Sequence, residues 1–252
     1  MRFASLGSGS GGNGLVVEAG GTRVLMDCGF GLADSVTRLA RLGLQATDLA
    51  GIVVTHEHSD HIGGVGRLAR RHGLPVWLTA GTLAMAQDLD GVAVQVIDSH
   101  TAFAVDELEI QPFPVPHDAR EPVQYVFGDG DRRLGVLTDT GSDTPHIEAM
   151  LAGVDALVLE CNHDAAMLEN GPYPTSLKRR VGGRLGHLEN GQSAGLLDRL
   201  RHAKLQCVMA AHVSRKNNTA ALAQRALAQV LNCADDEVRV ACQTTGFDWI
   251  RI

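Results

Sequence analysis

The sequence predicts an α/β protein, an αββα sandwich of two mixed β-sheets that pack face to face with helices on the outer faces. Three observations lead to this prediction. Short apolar segments of strand type cluster near the N-terminus, similar segments then alternate with helix-like ones, and the pattern recurs in the second half of the 252 residues. No low-complexity linker or short repeat divides the chain, so we expect a single domain over residues 1–252.

The elements are assigned in order along the chain. The turn at Gly20-Gly21 indicates that the first strands pair antiparallel. Strands are predicted at 2–6, 15–18, 23–27, 51–55, 76–79, 92–97, 107–113, 123–127, 133–138, 156–160, 206–211, 238–242 and 247–252. Helices are predicted at 33–42, 66–72, 143–152, 192–203 and 219–232. The least regular segment is 162–189; because long connections are usually functional, we expect it to face the substrate.

Composition narrows the class of protein. The net charge of −7 argues against a generally basic coat for nucleic acid, although local basic patches can outweigh the total. Five scattered cysteines without a Cys-x-x-Cys pair argue against a disulfide framework or a cysteine-ligated zinc site. Neither a transmembrane run nor a signal peptide is recognisable. We therefore expect a cytoplasmic protein with no membrane association, and no feature indicates an obligate protein partner.

The most informative motif is His-x-His-x-Asp-His at residues 56–61, directly after a predicted buried strand. Imidazole and carboxylate are ligands that suit zinc, manganese or iron. Four of them in one loop are too many for a single open catalytic ion. The simplest use is a pair of ions, with His56 and His58 facing one and Asp60 and His61 facing its neighbour. A polar surface loop that happens to be rich in histidine is the alternative.

Three more residues follow predicted strands and could complete such a site. They are His117, Asp139 and His212. An aspartate at a strand end can bridge two ions, while each histidine caps one. Taken singly, a histidine after a strand is more often hydrogen-bonded or on the surface. Their order after the His-rich loop favours a common cleft.

The motif at 56–61 resembles the signature of the metallo-β-lactamase superfamily. Further segments narrow the resemblance to the YycJ-type (WalJ-type) proteins, which are regarded as phosphodiesterases or 5′-to-3′ DNA exonucleases. These segments are 8–13, 55–64, 116–119, 138–141, 160–164, 173–180, 186–190 and 212–218, and together they span nearly the whole chain. One departure is Glu189, where a small serine is expected; its negative charge could change the titration of His187 or the binding of phosphate.

The resemblance implies the metallo-β-lactamase fold and a site for two divalent metal ions, zinc or manganese, with iron also compatible. A hydroxide between the ions would attack phosphorus, and Asp60 would help to orient it. The implied ligands are His56, His58 and His117 for one ion, Asp60, His61 and His212 for the other, and Asp139 as the bridge.

Other residues are candidates for catalysis and substrate binding. By analogy with the same superfamily, His187 is the candidate proton donor to the leaving group, a helix-capping or surface histidine being the alternative. Tyr173 could stack on a base or pack locally. The candidate substrate-binding residues are Asn162, His163 and Asn217 together with the basic cluster Lys178, Arg179 and Arg180, near Arg184. For the cluster, a solvated helix face is the alternative.

The predicted function is a metal-dependent phosphodiesterase, a 5′-to-3′ exonuclease with DNA as its substrate. A phosphodiesterase for small or cyclic phosphates shares the metal chemistry and stays open as an alternative. A thioester or lactam hydrolase is less compatible with the basic cluster at 178–184. A non-catalytic module would be expected to lack ligands, and all seven are present.

Overall fold

The computed structural model describes residues 1–252 and contains two seven-stranded sheets. The strands of the first sheet are β1 (Arg2–Gly7), β2 (Gly14–Ala19), β3 (Thr22–Met26), β4 (Gly51–Val53), β5 (Val76–Thr79), β6 (Val94–Ile97) and β14 (Phe247–Arg251). Their order is β14-β1-β2-β3-β4-β5-β6. Pairing is antiparallel from β14 to β3 and parallel from β3 to β6, so the sheet is mixed.

The second sheet repeats this arrangement. Its strands are β7 (Phe103–Val105), β8 (Leu108–Pro114), β9 (Val123–Gly128), β10 (Arg133–Leu137), β11 (Ala156–Glu160), β12 (Cys207–Ala211) and β13 (Arg239–Val240). They are ordered β13-β12-β11-β10-β9-β8-β7. The pairs from β7 to β10 are antiparallel, and those from β10 to β13 are parallel.

Nine helices connect or flank the strands. They are α1 (Leu32–Arg41), α2 (Ser59–Ile62), α3 (Val65–His72), α4 (Ala80–Met85), α5 (Pro145–Leu151), α6 (Ala165–Asn170), α7 (Thr175–Val181), α8 (Asn190–Leu200) and α9 (Ala220–Leu231). Local sequence explains several of their starts. Thr144 and Thr219 are the N-caps of α5 and α9: the hydroxyl of each accepts a hydrogen bond from the third backbone N–H of its helix. None of these helices combines the length and the apolar character that crossing a membrane requires.

Successive side chains of a strand alternate between an inner apolar core, which lies between the sheets, and one of two outer cores, which lie between a sheet and its helices. In β3, Val24 and Met26 lie in the cluster between the sheets, while Leu25 packs in the cluster that includes Leu39 of α1. In β11, Val158 faces inward and the leucines beside it pack with residues of α8 and α9. Because successive strand side chains point to opposite faces, this burial defines four layers. The predicted αββα sandwich is confirmed.

The short elements were not predicted. Segment 162–189 contains α6 and α7, although it was expected to be irregular, and α4 and β7 had no predicted counterpart. Each has at most seven residues, too few for a hydrophobic period to show. Strand β13 is only two residues long, whereas 238–242 was predicted, because the chain turns back between Cys242 and Gly246.

A buried side-chain hydrogen bond joins the two sheets next to the His-rich loop. The hydroxyl of Tyr125 in β9 donates to the carbonyl oxygen of Val54, just past β4, at 2.7 Å, and the Tyr125 side chain is fully buried. We expect Tyr125→Phe to lower the free energy of unfolding by about 1–3 kcal/mol, because a buried carbonyl loses its donor. Urea denaturation of the metal-free protein measures this. An unchanged midpoint with an unchanged slope would contradict it.

Candidate active site

The His-rich loop connects β4 to α2 and is fixed from behind by backbone hydrogen bonds. Asn13 N donates to Asp60 O and Cys28 N to His61 O, both at 2.7 Å, so the turns after β1 and β3 hold the loop in place. His56 and His61 are each only 1% exposed. Their position is therefore set by the sheet edge and not by the loop alone.

The other three candidate ligands arrive from the second sheet. His117 follows β8, Asp139 follows β10 and His212 follows β12. Asp139 and His212 adopt left-handed backbone conformations, with φ of 52° and 53°. Non-glycine residues rarely do so, and such strain concentrates at functional sites. Here it turns both side chains back across the strand ends toward the first sheet.

The seven predicted metal-binding side chains lie together at this edge. Potential ligand atoms fall within 4.8 Å of one another in the sets His56, His58, His117 and Asp60, His61, His212. Asp139 lies between the sets: one of its oxygens is 3.2 Å from His61 Nε2, and the other is 3.9 Å from His117 Nε2 and 3.6 Å from His212 Nε2. The arrangement suits two ions that share one carboxylate.

Hydrogen bonds orient the imidazoles so that one nitrogen of each is left for the cleft. His61 Nδ1 donates to Asp27 at 2.8 Å, and His117 Nδ1 donates to the Gly186 carbonyl at 3.0 Å. His212 Nδ1 faces Glu160 at 3.3 Å. A histidine held in this way presents Nε2 as a defined ligand.

Several of the atoms directed into the site have no protein partner. His56 Nε2, His212 Nε2 and Asp139 Oδ2 are buried and make no hydrogen bond within the protein. Burying polar atoms without partners costs about 1–3 kcal/mol each, so native structures rarely keep them without a use. Nitrogen and carboxylate oxygen are the donors that divalent zinc and manganese accept. The residues present therefore fit bound metal ions.

Two buried carboxylates support the cluster and were not among the predicted site residues. Asp27 accepts from Thr55 N and from the Thr55 hydroxyl at 2.8 Å each, besides holding His61. Glu160, fully buried at the end of β11, lies 2.9 Å from His187 Nδ1 and accepts from the backbone N–H groups of Asp139, Thr140 and Leu188. A carboxylate that ends an otherwise apolar strand was the available signal for Glu160.

The charges at the base of the site are set by these contacts. Burial raises the pKa of the Glu160 carboxyl, but the neighbouring His187 and His212 lower it by more, so that the pKa is about 2. Burial lowers the pKa of His187, while Glu160 and Asp139 raise it above the usual value overall. Without metal, these contacts favour the protonated form of His187 beside the Glu160 carboxylate.

The site opens into a polar cleft of about 320 Å³. Besides the candidate ligands, its wall includes Ser10, Tyr173, Arg180, His187 and Asn217. Arg180 Nε donates to Asp118 at 2.5 Å, and this ion pair connects α7 to the residue that follows His117 in the chain. The segment 162–189 thus supplies one side of the cleft.

The predicted substrate-binding residues separate into two groups. Asn162, Arg180 and Asn217 line the cleft, and the Asn162 amide donates to the His212 carbonyl at 3.0 Å. His163, Lys178 and Arg179 lie outside its lining. The Lys178 ammonium donates to the Glu169 carbonyl at 2.6 Å, across the turn between α6 and α7.

Glu189 has a structural use at the position where a serine was expected. Its carboxylate accepts from the backbone N–H groups of Gly191 and Gln192 at 2.9 and 2.8 Å, which makes it the N-cap of α8. An acidic group there also interacts favourably with the helix dipole. The charge is thereby compensated locally.

Comparison with known proteins places this architecture in a family. The family model described as a beta-lactamase superfamily domain matches residues 22–210. The chain belongs to the metallo-β-lactamase superfamily. It is 36% identical over 237 residues to the exodeoxyribonuclease YycJ of Bacillus anthracis, covering 92% of this chain and 89% of that protein. It is 31% identical over 241 residues to the exodeoxyribonuclease WalJ of Streptococcus pneumoniae, covering 93% and 90%. The predicted membership in the YycJ/WalJ type is confirmed.

Solved structures of this superfamily share the fold across the full chain. The crystal structure of the metallo-β-lactamase fold protein YhfI from Bacillus subtilis has a TM-score of 0.78, with 18% identity, and covers 99% of this chain and 98% of its own. At 18% identity this likeness shows a shared fold and nothing more specific.

The two candidate metal sets should differ in their dependence on pH. Burial lowers the pKa of His56 and His117, so both are neutral at pH 7. Burial also disfavours protonation of His61 and His212, but Asp139 and other carboxylates raise the pKa of both, that of His212 to about 10. A metal must displace these protons, so we expect release of roughly two protons when the Asp60, His61, His212 set is loaded at pH 7.

Calorimetric titration of metal-free protein in buffers of different ionisation enthalpy measures this release. As pH falls, the ion in that set should dissociate before the ion held by His56, His58 and His117. Binding of both ions without proton release would contradict the prediction.

Proposed function

We propose that this chain is a metal-dependent phosphodiesterase that degrades DNA from the 5′ end. The observation that carries the proposal is the cluster of seven His and Asp side chains beside an open polar cleft, three of which keep a buried atom without a hydrogen-bond partner. Its relatives over more than nine-tenths of the chain are named exodeoxyribonucleases. The fold and the family support a metal-dependent hydrolase, and the open polar cleft supports DNA as its substrate.

Two divalent ions, zinc or manganese, with iron also compatible, are proposed as the cofactors. His56, His58 and His117 would hold one, Asp60, His61 and His212 the other, and Asp139 both. When bound, such ions lower the pKa of water and offset negative charge on a phosphoryl group. Asp27 and Glu160 keep His61 and His212 in the orientation this requires.

We also propose that residues 1–252 act as a single metallo-hydrolase domain whose segment 162–189 faces the substrate. Tyr173, Arg180 and His187 of that segment all line the cleft. Next to them, Arg179 and Arg184 are exposed and form no ion pair, although the protein is acidic overall. Unpaired cations beside a cleft attract a phosphate backbone.

His187 is proposed as the proton donor to the leaving oxygen. It lines the cleft, and Nδ1 is held by Glu160 at 2.9 Å, which leaves Nε2 for the substrate. The same contact keeps the pKa of His187 above its usual value, against the opposing effect of burial. The contact thus favours the protonated imidazole, the form that can give a proton to an alkoxide.

A phosphodiesterase for small or cyclic phosphates would use the same residues. A lactam or thioester substrate fits less well, because the cleft wall is polar and carries Arg180. Substrate size is therefore the property that the first experiment has to resolve.

Asp139→Asn tests the proposal directly. Protein reconstituted with manganese or with zinc is incubated with DNA that carries a 5′-phosphate and an internal label. We expect stepwise shortening from the 5′ end, and a loss of at least roughly 100-fold in Asp139→Asn, since the shared carboxylate is gone. Asp131→Asn, which removes a carboxylate that is 85% exposed at a remote turn, is the matched control.

Intact DNA, with bis(p-nitrophenyl) phosphate or a cyclic nucleotide still cleaved by the same preparation, would reject DNA as the substrate and retain the metal chemistry. Shortening that persists in Asp139→Asn would reject the proposed site.

His187→Gln should slow cleavage of DNA by about 10²–10⁴-fold, the usual contribution of a general acid. The p-nitrophenyl ester of thymidine 5′-phosphate has a leaving group that departs without a proton, so its cleavage should fall far less. With DNA, the rate constant of the unaltered protein should decline as pH rises through the pKa of His187, because the acid form is lost. Equal losses on both substrates would contradict this role.

A further inference from the structure

One side chain on the cleft wall has no partner in the protein and no part in the chemistry above. Asn217 is fully buried and lines the cleft, yet neither Oδ1 nor Nδ2 makes a hydrogen bond within the protein. Its backbone is firmly held, because its N–H donates to Ser214 Oγ at 3.2 Å and its carbonyl accepts from Asp164 N at 2.8 Å. The unpaired amide is therefore a fixed feature of the fold whose hydrogen-bonding capacity the protein itself does not use.

The chemistry of a carboxamide restricts what that ligand can be. It offers donors on nitrogen and an acceptor on oxygen. A phosphate oxygen only accepts, so it would pair with Nδ2 and leave Oδ1 unpaired. A nucleobase edge or a sugar hydroxyl beside a ring oxygen presents a donor and an acceptor together. The amide is thus better matched by a nucleoside than by a phosphate.

Tyr173 supplies the second half of such a site. It is the sole Phe, Tyr or Trp side chain on the cleft wall, and its ring is partly exposed. The Lys216 ammonium lies 5.6 Å from the ring centroid. Aromatic rings beside cations are the usual platform for a single unpaired base, with the cation close to its phosphate.

The two residues are adjacent through Gly171. A Cβ added at Gly171 would lie 2.7 Å from Asn217 Oδ1, so only glycine lets this segment pack against the amide. The amide thus lies where this segment meets the cleft wall, and Tyr173 lines the same cleft two residues further along.

We propose that Tyr173 and Asn217 form a nucleoside subsite, in which a base that adjoins the scissile phosphate stacks on Tyr173 while Asn217 bonds its polar edge. The inference rests on the proposed DNA substrate and specifies how one nucleotide is placed next to the metals. Recognition of a single unstacked nucleoside predicts that duplex ends must open before cleavage.

The test uses metal-loaded protein and 5′-phosphorylated single-stranded oligonucleotides. One is intact, and two matched ones carry an abasic tetrahydrofuran residue at the first or the second position. We expect kcat/KM to fall by about 10-fold or more for one of the abasic substrates, the usual effect of losing one stacked base. In Tyr173→Leu the ratio of kcat/KM for the intact substrate to that for the abasic substrate should drop toward one. Tyr173→Phe, which keeps an aromatic ring, should retain the ratio of the unaltered protein. Leu185→Ala, which removes an apolar side chain that is 55% exposed outside the cleft lining, is the control.

Asn217→Leu separates binding from a structural role. Because the amide has no partner to lose, the melting temperature should stay the same or rise, while the preference for the intact substrate falls. A lower melting temperature with an unchanged preference would overturn the subsite. Equal cleavage of all three oligonucleotides by the unaltered protein, or a preference that survives Tyr173→Leu, would overturn it as well.

These outcomes leave DNA cleavage intact and reject the subsite alone. Protein that cleaves bis(p-nitrophenyl) phosphate but none of the oligonucleotides would instead reject DNA as the substrate, and the subsite with it.

Discussion

Burial of negative charge at one edge of the sandwich is the constraint on which this structure depends. Asp27, Asp139 and Glu160 are each at most 2% exposed, and an isolated buried carboxylate would cost many kilocalories per mole. Asp27 is compensated by Thr55 and His61, and Glu160 by histidines and backbone N–H groups. Asp139 keeps an unpaired oxygen, so protons on the histidines or bound cations must complete the balance.

The sheets explain why these groups meet. Strands β10, β11 and β12 are parallel neighbours, so their carboxyl ends deliver Asp139, Glu160 and His212 side by side. Strand β4 delivers the His-rich loop from the opposite sheet, and the apolar cluster between the sheets fixes the separation. A ligand set drawn from the ends of β4, β8, β10 and β12 is rigid because strands of both sheets hold it in place.

Chemistry and recognition occupy different parts of the cleft. Its floor carries the candidate metal-binding side chains, and Glu160 connects that floor to His187. One side of its wall is built by the segment that contains α6 and α7, where Gly171 permits close packing and Arg180 is paired with Asp118. Wall and floor are also connected by hydrogen bonds, from His117 to the Gly186 carbonyl and from the Asn162 amide to the His212 carbonyl.

The sequence by itself determined the sandwich and the seven candidate ligands, because buried strands and the motif at 56–61 leave strong local patterns. Short elements such as α6 and α7 were missed, since one or two turns carry no period. Only the tertiary structure decided the roles of Asp27, Glu160 and the unpaired Asn217 amide. The roles of Asp27 and Glu160 depend on partners at least 20 residues away, and that of Asn217 on the absence of a partner; spacing along the chain records neither.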